Sequence, residues 1–299
     1  MIWQLGEARQ LDLSTRAHVM AILNVTPDSF YDGGQYQQAD QAIERGLKIV
    51  AEGADVLDIG GQSSRPPLYG ELIEVSAAQE CARVVPVIEG IRRQSDVPIS
   101  VDTTRALVAR KALDAGADIV NDISAFTDDP DMLDVVASTG AALVLMHRRG
   151  RPQTMQTNTR YEDLLGEVLG FLTDRVDEAV AGGVIKQRLA VDPGLGFGKD
   201  TAGNLSLIRH VDVFTALGRP VVVGASRKSF IWKSLGLQAE EALEGSIAVA
   251  VLAAARGAHI LRVHDVVETV RALRMAELVK GASVWDRSRP APVAEPSQS

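Results

Sequence analysis

The chain has 299 residues, 46% apolar, 4% aromatic and 23% charged, and a net charge of −8. That length suits one α/β barrel of about 250 residues with short ends, and a negative total gives no electrostatic footprint for nucleic acid. The single cysteine, Cys81, excludes an internal disulfide, and no Cys/His cluster has zinc-ligand spacing.

The chain opens Met1-Ile2-Trp3-Gln4, without a basic stretch and long apolar run, so no signal peptide is expected. No apolar stretch reaches the roughly 18 residues a membrane span needs, which makes the cytoplasm the expected location. Residues 1–16 are expected to form a cap segment, with Gln4–Arg16 over the bottom of a barrel spanning 17–280. Eight short apolar runs follow as strand candidates: Val19–Leu23, Val56–Ile59, Ile99–Val101, Ile119-Val120, Ala142–Met146, Leu189–Val191, Val221–Val223 and Ile260–Val263. Helical patterns lie between them, among them Ala39–Ala51, Ser76–Arg93, Arg105–Ala115, Tyr161–Ala181 and Ser246–Ala255. Strands alternating with helices predict βαβ units and a parallel sheet, here closed as a (β/α)8 TIM barrel in a single domain. Gly-Ala pairs at Gly53, Gly116, Gly140 and Gly257 precede strands, where glycine ends a helix in a left-handed turn. Residues 287–299, with Pro290, Pro292 and Pro296 among small polar residues, read as a disordered tail.

A parallel barrel builds its site at the C-terminal ends of its strands. There the chain places Asn24, Asp58, Asp102, Asn121-Asp122, His147, Asp192, Arg227-Lys228, and Arg262 with His264. One Asp after a strand is usually a turn former or helix cap, but capping does not require Asn, Asp, Lys, Arg and His to converge on one mouth. The set sorts into two chemistries. Asp102, Asn121 and Asp192, with no basic neighbour in sequence, suit a flat heterocycle rich in N–H donors. Arg65, Arg262 and His264, with Asn24, suit a diphosphate and its metal, and Lys228 could bridge the two. The run Gly194–Lys199 lacks phosphate-loop spacing and reads as a flexible turn that lets backbone approach a ligand. His18 and His210 read as packing or surface histidines, and His147 is assigned no role. Asp122 reads as a steadying group for the Asn121 loop, and Asp58 as standing behind the ligand-facing residues.

From about Val19 to Met275 the chain resembles dihydropteroate synthases. The carrying segments are Ile22–Phe30 with Asp32-Gly33-Gly34, Asp58–Pro66, Ser100–Thr103, Val120–Ile123, Met146-His147, Asp192–Lys199, Gly224–Ser229 and Arg262–Val266, in order and at barrel spacing. The resemblance implies a transferase of folate biosynthesis, the target of sulfonamides. It would join a dihydropterin diphosphate to p-aminobenzoate with loss of diphosphate. It implies that Asp102, Asn121, Asp192 and Lys228 hold the pterin, with Asp102, Asp192 and Lys228 acting in catalysis. Met146 and Phe197 would wall the pterin. Arg65, Arg262 and His264 would hold the diphosphate, and Asn24 its Mg²⁺. Ser64 and Ser229, with Arg65 and the loop Thr26–Gly34, would frame the p-aminobenzoate site. The loops Thr26–Gly34 and Gly61–Tyr69 would close over the reactants.

Departures from the family pattern are Gln62 for glutamate, Ser64 for threonine, Pro67 for glycine, and Arg148-Arg149 after His147. They bear on the second loop and on p-aminobenzoate or sulfonamide affinity. Two alternatives stay open: a pterin-binding paralogue without turnover, and a methyltetrahydrofolate-dependent methyltransferase-like barrel, which should not need the Ser-Arg-Lys-Ser segment or the Arg-x-His pair. Ser246–Ala255 is a candidate homodimer face, or it packs on the barrel.

Overall fold

In the computed structural model, residues 1–26, 35–62, 75–150, 155 and 157–281 are described. Alternating β-branched runs and amphipathic stretches give eight parallel strands: β3 (His18–Asn24), β4 (Val56–Gly60), β5 (Ile99–Asp102), β6 (Ile119–Asp122), β7 (Ala142–Met146), β8 (Leu189–Asp192), β9 (Val222–Val223) and β10 (Ile260–Val263). They hydrogen-bond in the order β8-β7-β6-β5-β4-β3-β10-β9. A parallel bridge from Val191 to Val221, with the Val191 N–H donating to Pro220 O at 2.9 Å, joins the two ends and closes the ring. The fold is the expected (β/α)8 barrel. The preceding β1 (Ile2–Gln4) and β2 (Gln10–Asp12) form a separate antiparallel hairpin.

Ten helices are described: α1 (Gln35–Ala51), α2 (Ala77–Arg92), α3 (Ala106–Asp114), α4 (Asp131–Thr139), α5 (Leu164–Ala181), α6 (Thr201–Arg209), α7 (Val211–Thr215), α8 (Ser229–Leu235), α9 (Leu243–Ala255) and α10 (Val266–Val279). Their ends follow local chemistry. Ser76 caps α2 in a reciprocal pair with Gln79 instead of joining the helix. Asp163 accepts from the Gly166 N–H at 3.0 Å, so α5 starts three residues later than its periodicity predicts. Gly53, Gly116, Gly140 and Gly257 all have positive φ, which lets each helix end turn at once into the next strand.

The period of two along each strand divides the side chains. Val19, Ala21, Leu23, Leu57, Ile59, Val101 and Val120 face the helices and form the main core. The alternate residues face the barrel axis. At the bottom these are apolar: Met20, Val56, Ile119, Ala142, Ala190, Val222 and Ile260 pack with Trp3, Leu5 and Leu13 from the hairpin segment. Trp3 is fully buried, and its indole N–H donates to Arg188 O at 3.0 Å. The hairpin plugs the barrel from below. Further up the same inward positions, the residues become polar. The 287–299 tail lies outside the described residues.

Candidate active site

The inward positions at the tops of the strands carry nearly all the polar groups expected there. Strand register aligns Asn24 with Gly60, Gly60 with Asp102, and Asp102 with Asn121, which makes a lateral row across four strands. Met146 aligns with Asp192 on the next pair. Gly60 leaves this part of the row open, although a Cβ would fit there at ordinary contact distance. A Cβ there would stand 3.6 Å from Asp102 Cβ and 3.9 Å from both Asn24 Oδ1 and Asp102 Oδ2.

Arg262, on β10, reaches into this row. Its Nε donates to Asp58 Oδ2 at 2.6 Å and its Nη2 to Asp102 Oδ2 at 2.6 Å. Asn121 Nδ2 donates to the same Asp58 oxygen at 3.2 Å. Asp58 therefore stands behind the row and ties Asn121 to Arg262, as expected of it. Its other oxygen, Oδ1, is buried with no hydrogen-bond partner among the described residues. The two expected groups touch: Arg262, expected among the anion-binding residues, is also ion-paired to Asp102, one of the heterocycle-facing carboxylates.

Burial and charge act together on these groups. Burial raises the Asp102 pKa to about 7, against the pull of Arg262. Burial works against the Arg262 charge, yet the Asp58 and Asp102 carboxylates raise its pKa overall. Burial also raises the Asp192 pKa, opposed by Lys228, and lowers that of Lys228 to about 8, opposed by Asp192. Asp192 accepts the Gly194 N–H at 2.7 Å. Lys228 donates to Leu195 O, and its ammonium lies 4.6 Å from the Phe197 ring centre. Phe197 packs with Ile123, Met146 and Met155 as a small apolar wall.

The remaining expected residues are placed as follows. His264 lies one strand repeat beyond Arg262, its Nδ1 3.1 Å from Ser226 Oγ, and its N–H also reaches that hydroxyl. Ser229 opens α8 directly after Lys228. Ser64 and Arg65, with Pro27–Gly34 of the first loop and Ser63–Tyr69 of the second, lie outside the described residues. Asp122 does steady the Asn121 loop: it accepts from the Ser124 N–H, the Ser124 hydroxyl and the Phe126 N–H. These bonds hold Ala125 and Phe126 at positive φ. A polar cavity of about 280 Å³ lined by Gln4, Arg9 and Arg188 lies at the hairpin, at the other end of the barrel.

The reading of Gly194–Lys199 as a flexible turn is corrected. Lys199, 2% exposed, extends back under its own loop and donates to Gly194 O at 2.8 Å and Phe197 O at 3.0 Å. Its Nζ is 2.9 Å from His147 Nδ1. The loop is a pinned turn. Sequence reasoning missed Lys199 and His147 as partners; the one available signal was a lysine closing a glycine-rich run at the site's rim. It also missed the pairing of Arg227, held at positive φ, with Asp265, which sets the turn before Lys228.

A family model described as "Pterin binding enzyme" matches residues 20–264. A dihydropteroate synthase of Synechocystis is 46% identical over 267 residues, covering 89% of this chain and 91% of that one. The Escherichia coli K12 enzyme of the same name is 42% identical over 277 residues, covering 93% and 96%. The chain belongs to the dihydropteroate synthase family. Solved structures of family members superpose closely on it. The Xanthomonas albilineans dihydropteroate synthase with 4-aminobenzoic acid has a TM-score of 0.84 at 44% identity, covering 93% of this chain and 97% of that one. The Yersinia pestis dihydropteroate synthase with a sulfonamide drug has a TM-score of 0.86 at 41% identity, covering 95% and 100%. Within the dihydropteroate synthase frame, the Asp58–Asp102–Arg262 and Asp192–Lys228 groups occupy the mouth of the barrel.

Proposed function

We propose that this chain catalyses the dihydropteroate synthase reaction, with Asp102, Asn121, Asp192, Lys228 and Arg262 as its pterin-facing set. The observation that carries the reading is their convergence at one mouth beside the Met146–Phe197 wall. A pterin offers a flat face and an edge of N–H donors. Carboxylates facing such an edge form charge-assisted bonds, stronger than neutral ones. The unpartnered Asp58 Oδ1 leaves one further acceptor deep in the row. The Xanthomonas enzyme has also been solved with 7,8-dihydropteroate, at 42% identity to this chain.

In the reaction, the bond from the pterin methylene carbon to the diphosphate oxygen breaks, and the electron pair leaves with diphosphate. The amine nitrogen of p-aminobenzoate bonds to that carbon and sheds a proton. The nucleophile arrives with the substrate, so no protein nucleophile is needed. Asp102 and Asp192 orient the ring and stabilise positive charge developing on it, and Lys228 anchors the ring edge. Arg262, His264 and Arg65 take up charge on the departing diphosphate. Ser64 and Ser229 frame the p-aminobenzoate site.

A Mg²⁺ ion suits this donor set. Among the described residues no group of three or more His, Cys, Asp or Glu is arranged to hold a metal. Mg²⁺ typically takes one or two protein oxygens and fills its shell with water and substrate phosphate. Asn24 Oδ1, facing the space that Gly60 leaves open, would hold it against the diphosphate. It would supply neutralisation of the leaving charge.

No helix among the described residues is long and apolar enough to cross a membrane; a cytoplasmic location belongs to the proposal. Leu252 on α9 and Met275 on α10 are more than half exposed, which supports a homodimer through this face. Turnover of a dihydropterin diphosphate with p-aminobenzoate tests the function. Release of dihydropteroate and diphosphate in equal amounts is expected, and binding without turnover would refute it. Asp192→Ala should nearly abolish pterin binding by calorimetry; unchanged affinity would remove Asp192 from the set.

A further inference from the structure

The mechanism above makes no use of the most deeply buried cation at this end of the barrel. Lys199 is 2% exposed and forms no carboxylate ion pair among the described residues. Burying an ammonium is costly unless hydrogen bonds replace its water. Here four acceptors surround it: Gly194 O, Phe197 O, His147 O at 3.4 Å, and His147 Nδ1. The ammonium has three N–H donors, so each finds an acceptor and the longest contact is shared. Burial pushes the Lys199 pKa well below its ordinary value, with Asp192 opposing the shift, and lowers the His147 pKa to about 3. With the lysine as donor, the His147 Nδ1 lone pair accepts and the imidazole carries its proton on Nε2.

The consequence falls on the next layer. Gly194 O and Phe197 O turn inward to Lys199, while the carbonyl of Leu195 between them turns the other way and accepts from Lys228. The Phe197 ring beneath the Lys228 ammonium belongs to the same loop. Other bonds fix the remaining turn: Gly196 N–H donates to Asn204 Oδ1 at 2.6 Å, and the Tyr161 hydroxyl to Gly198 O at 3.0 Å. Gly194 and Gly198 pass so close to the 147–149 backbone that a Cβ would stand 1.8 Å from His147 O and 2.6 Å from Arg149 O respectively. Lys228 thus contacts a loop to which Lys199 donates two of its bonds.

We propose that Lys199, seated against His147, is a positioning residue that aims the Leu195 carbonyl and the Phe197 ring at Lys228, and so sets where Lys228 meets the pterin. The inference rests on the synthase reading for the role of Lys228. A stability role alone would weaken the fold without regard to Lys228.

A double-mutant cycle in the full chain separates the two. Turnover and pterin affinity by calorimetry are measured for Lys199→Met, Lys228→Gln and the pair. Lys199→Met alone should lower turnover about 10- to 100-fold, the range a small misplacement of a catalytic contact produces. In the Lys228→Gln background the same change should cost less than about 3-fold, because coupled residues do not act additively. The KM for p-aminobenzoate should move little. Equal fold losses in both backgrounds would overturn the proposal.

If Lys199→Met fails to fold, His147 carries the test. His147→Asn keeps an acceptor oxygen for the ammonium and should stay near wild-type turnover. His147→Leu removes it and should fall as far as the lysine variant. Equal values for the two would overturn the proposal. Pterin affinity reports the cycle even without turnover, so an inactive wild type would count against the synthase reading and leave this one to be judged by binding.

Discussion

Replacing Arg262 by leucine should unbalance the site in a way that depends on pH. The guanidinium donates to Asp58 and Asp102, both at 2.6 Å, with Asp58 fully buried. Removing one partner of a buried ion pair strands charge in a low-dielectric site and costs about 3–5 kcal/mol. Asp102 supplies the pH dependence. Its folded pKa is already about 7, raised by burial from an ordinary 3.8, while Arg262 pulls it down. Because the folded pKa is raised, the folded state keeps a proton that the unfolded chain gives up, and stability falls as pH rises from about 4 to the folded pKa. In the wild type that fall ends near 7. Without Arg262 the folded pKa climbs and the fall continues above 7, by about 1.4 kcal/mol for each unit gained. Urea unfolding at pH 5 and pH 9 measures it. The deficit of Arg262→Leu relative to wild type should be clearly larger at pH 9. A deficit below about 1 kcal/mol, or one equal at both values, would refute a buried pair that holds Asp102 ionised.

Lys228 titrates at about 8 because burial lowers it, so pterin affinity by calorimetry should weaken as pH rises through 8 and the ammonium is lost; Lys228→Gln should bind weakly with no step there. Gly194→Ala adds a Cβ 1.8 Å from His147 O at a φ of +69, and should cost about 2–4 kcal/mol in urea unfolding, from steric overlap and the left-handed backbone. Trp3→Ala empties a fully buried site at the barrel bottom and should cost about 3–5 kcal/mol, with turnover at the far mouth retained while the chain is folded.

Much of the barrel was legible because strand period and barrel geometry make one demand. Every second residue faces the axis, and the axis can be apolar only where no ligand enters. Along β6 the inward residues run Ile119 then Asn121, along β8 Ala190 then Asp192, and along β10 Ile260 then Arg262. That change from apolar to polar along each short run marks which end of the barrel binds. What stayed hidden were pairings across long sequence separations. Arg262 meets Asp58 across 204 positions and Lys199 meets His147 across 52. No spacing rule joins such residues; only the register and the loop paths bring them together. The glycine-rich run misled for a related reason. Glycine gives the backbone freedom in the unfolded chain, but here it permits positive φ and close backbone approach, and Lys199 then removes the freedom.

The charge balance explains why the cations are held by the protein itself. Asp58 and Asp102 hydrogen-bond Arg262 at 2.6 Å, and Asp192 and Lys228 each feel the other's charge in the same buried mouth. With Lys199 turned away beneath its own loop, three carboxylates meet two cations at the mouth, and an excess negative charge in such a place is expensive. Asp102, with a pKa near 7, can cancel it by holding a proton part of the time. The pocket is thus close to neutral where a neutral ring must sit. On the proposed reading, the diphosphate then draws, besides Arg262, on groups nearer the rim such as His264 and on a cation held at Asn24, at the edge of the row. An Asp102→Asn chain tests the balance: it fixes the neutral form, so the Asp102 contribution to the pH dependence of pterin affinity near 7 should vanish while the step at Lys228 remains. If both steps survive that substitution, Asp102 is not the group that neutralises the pocket.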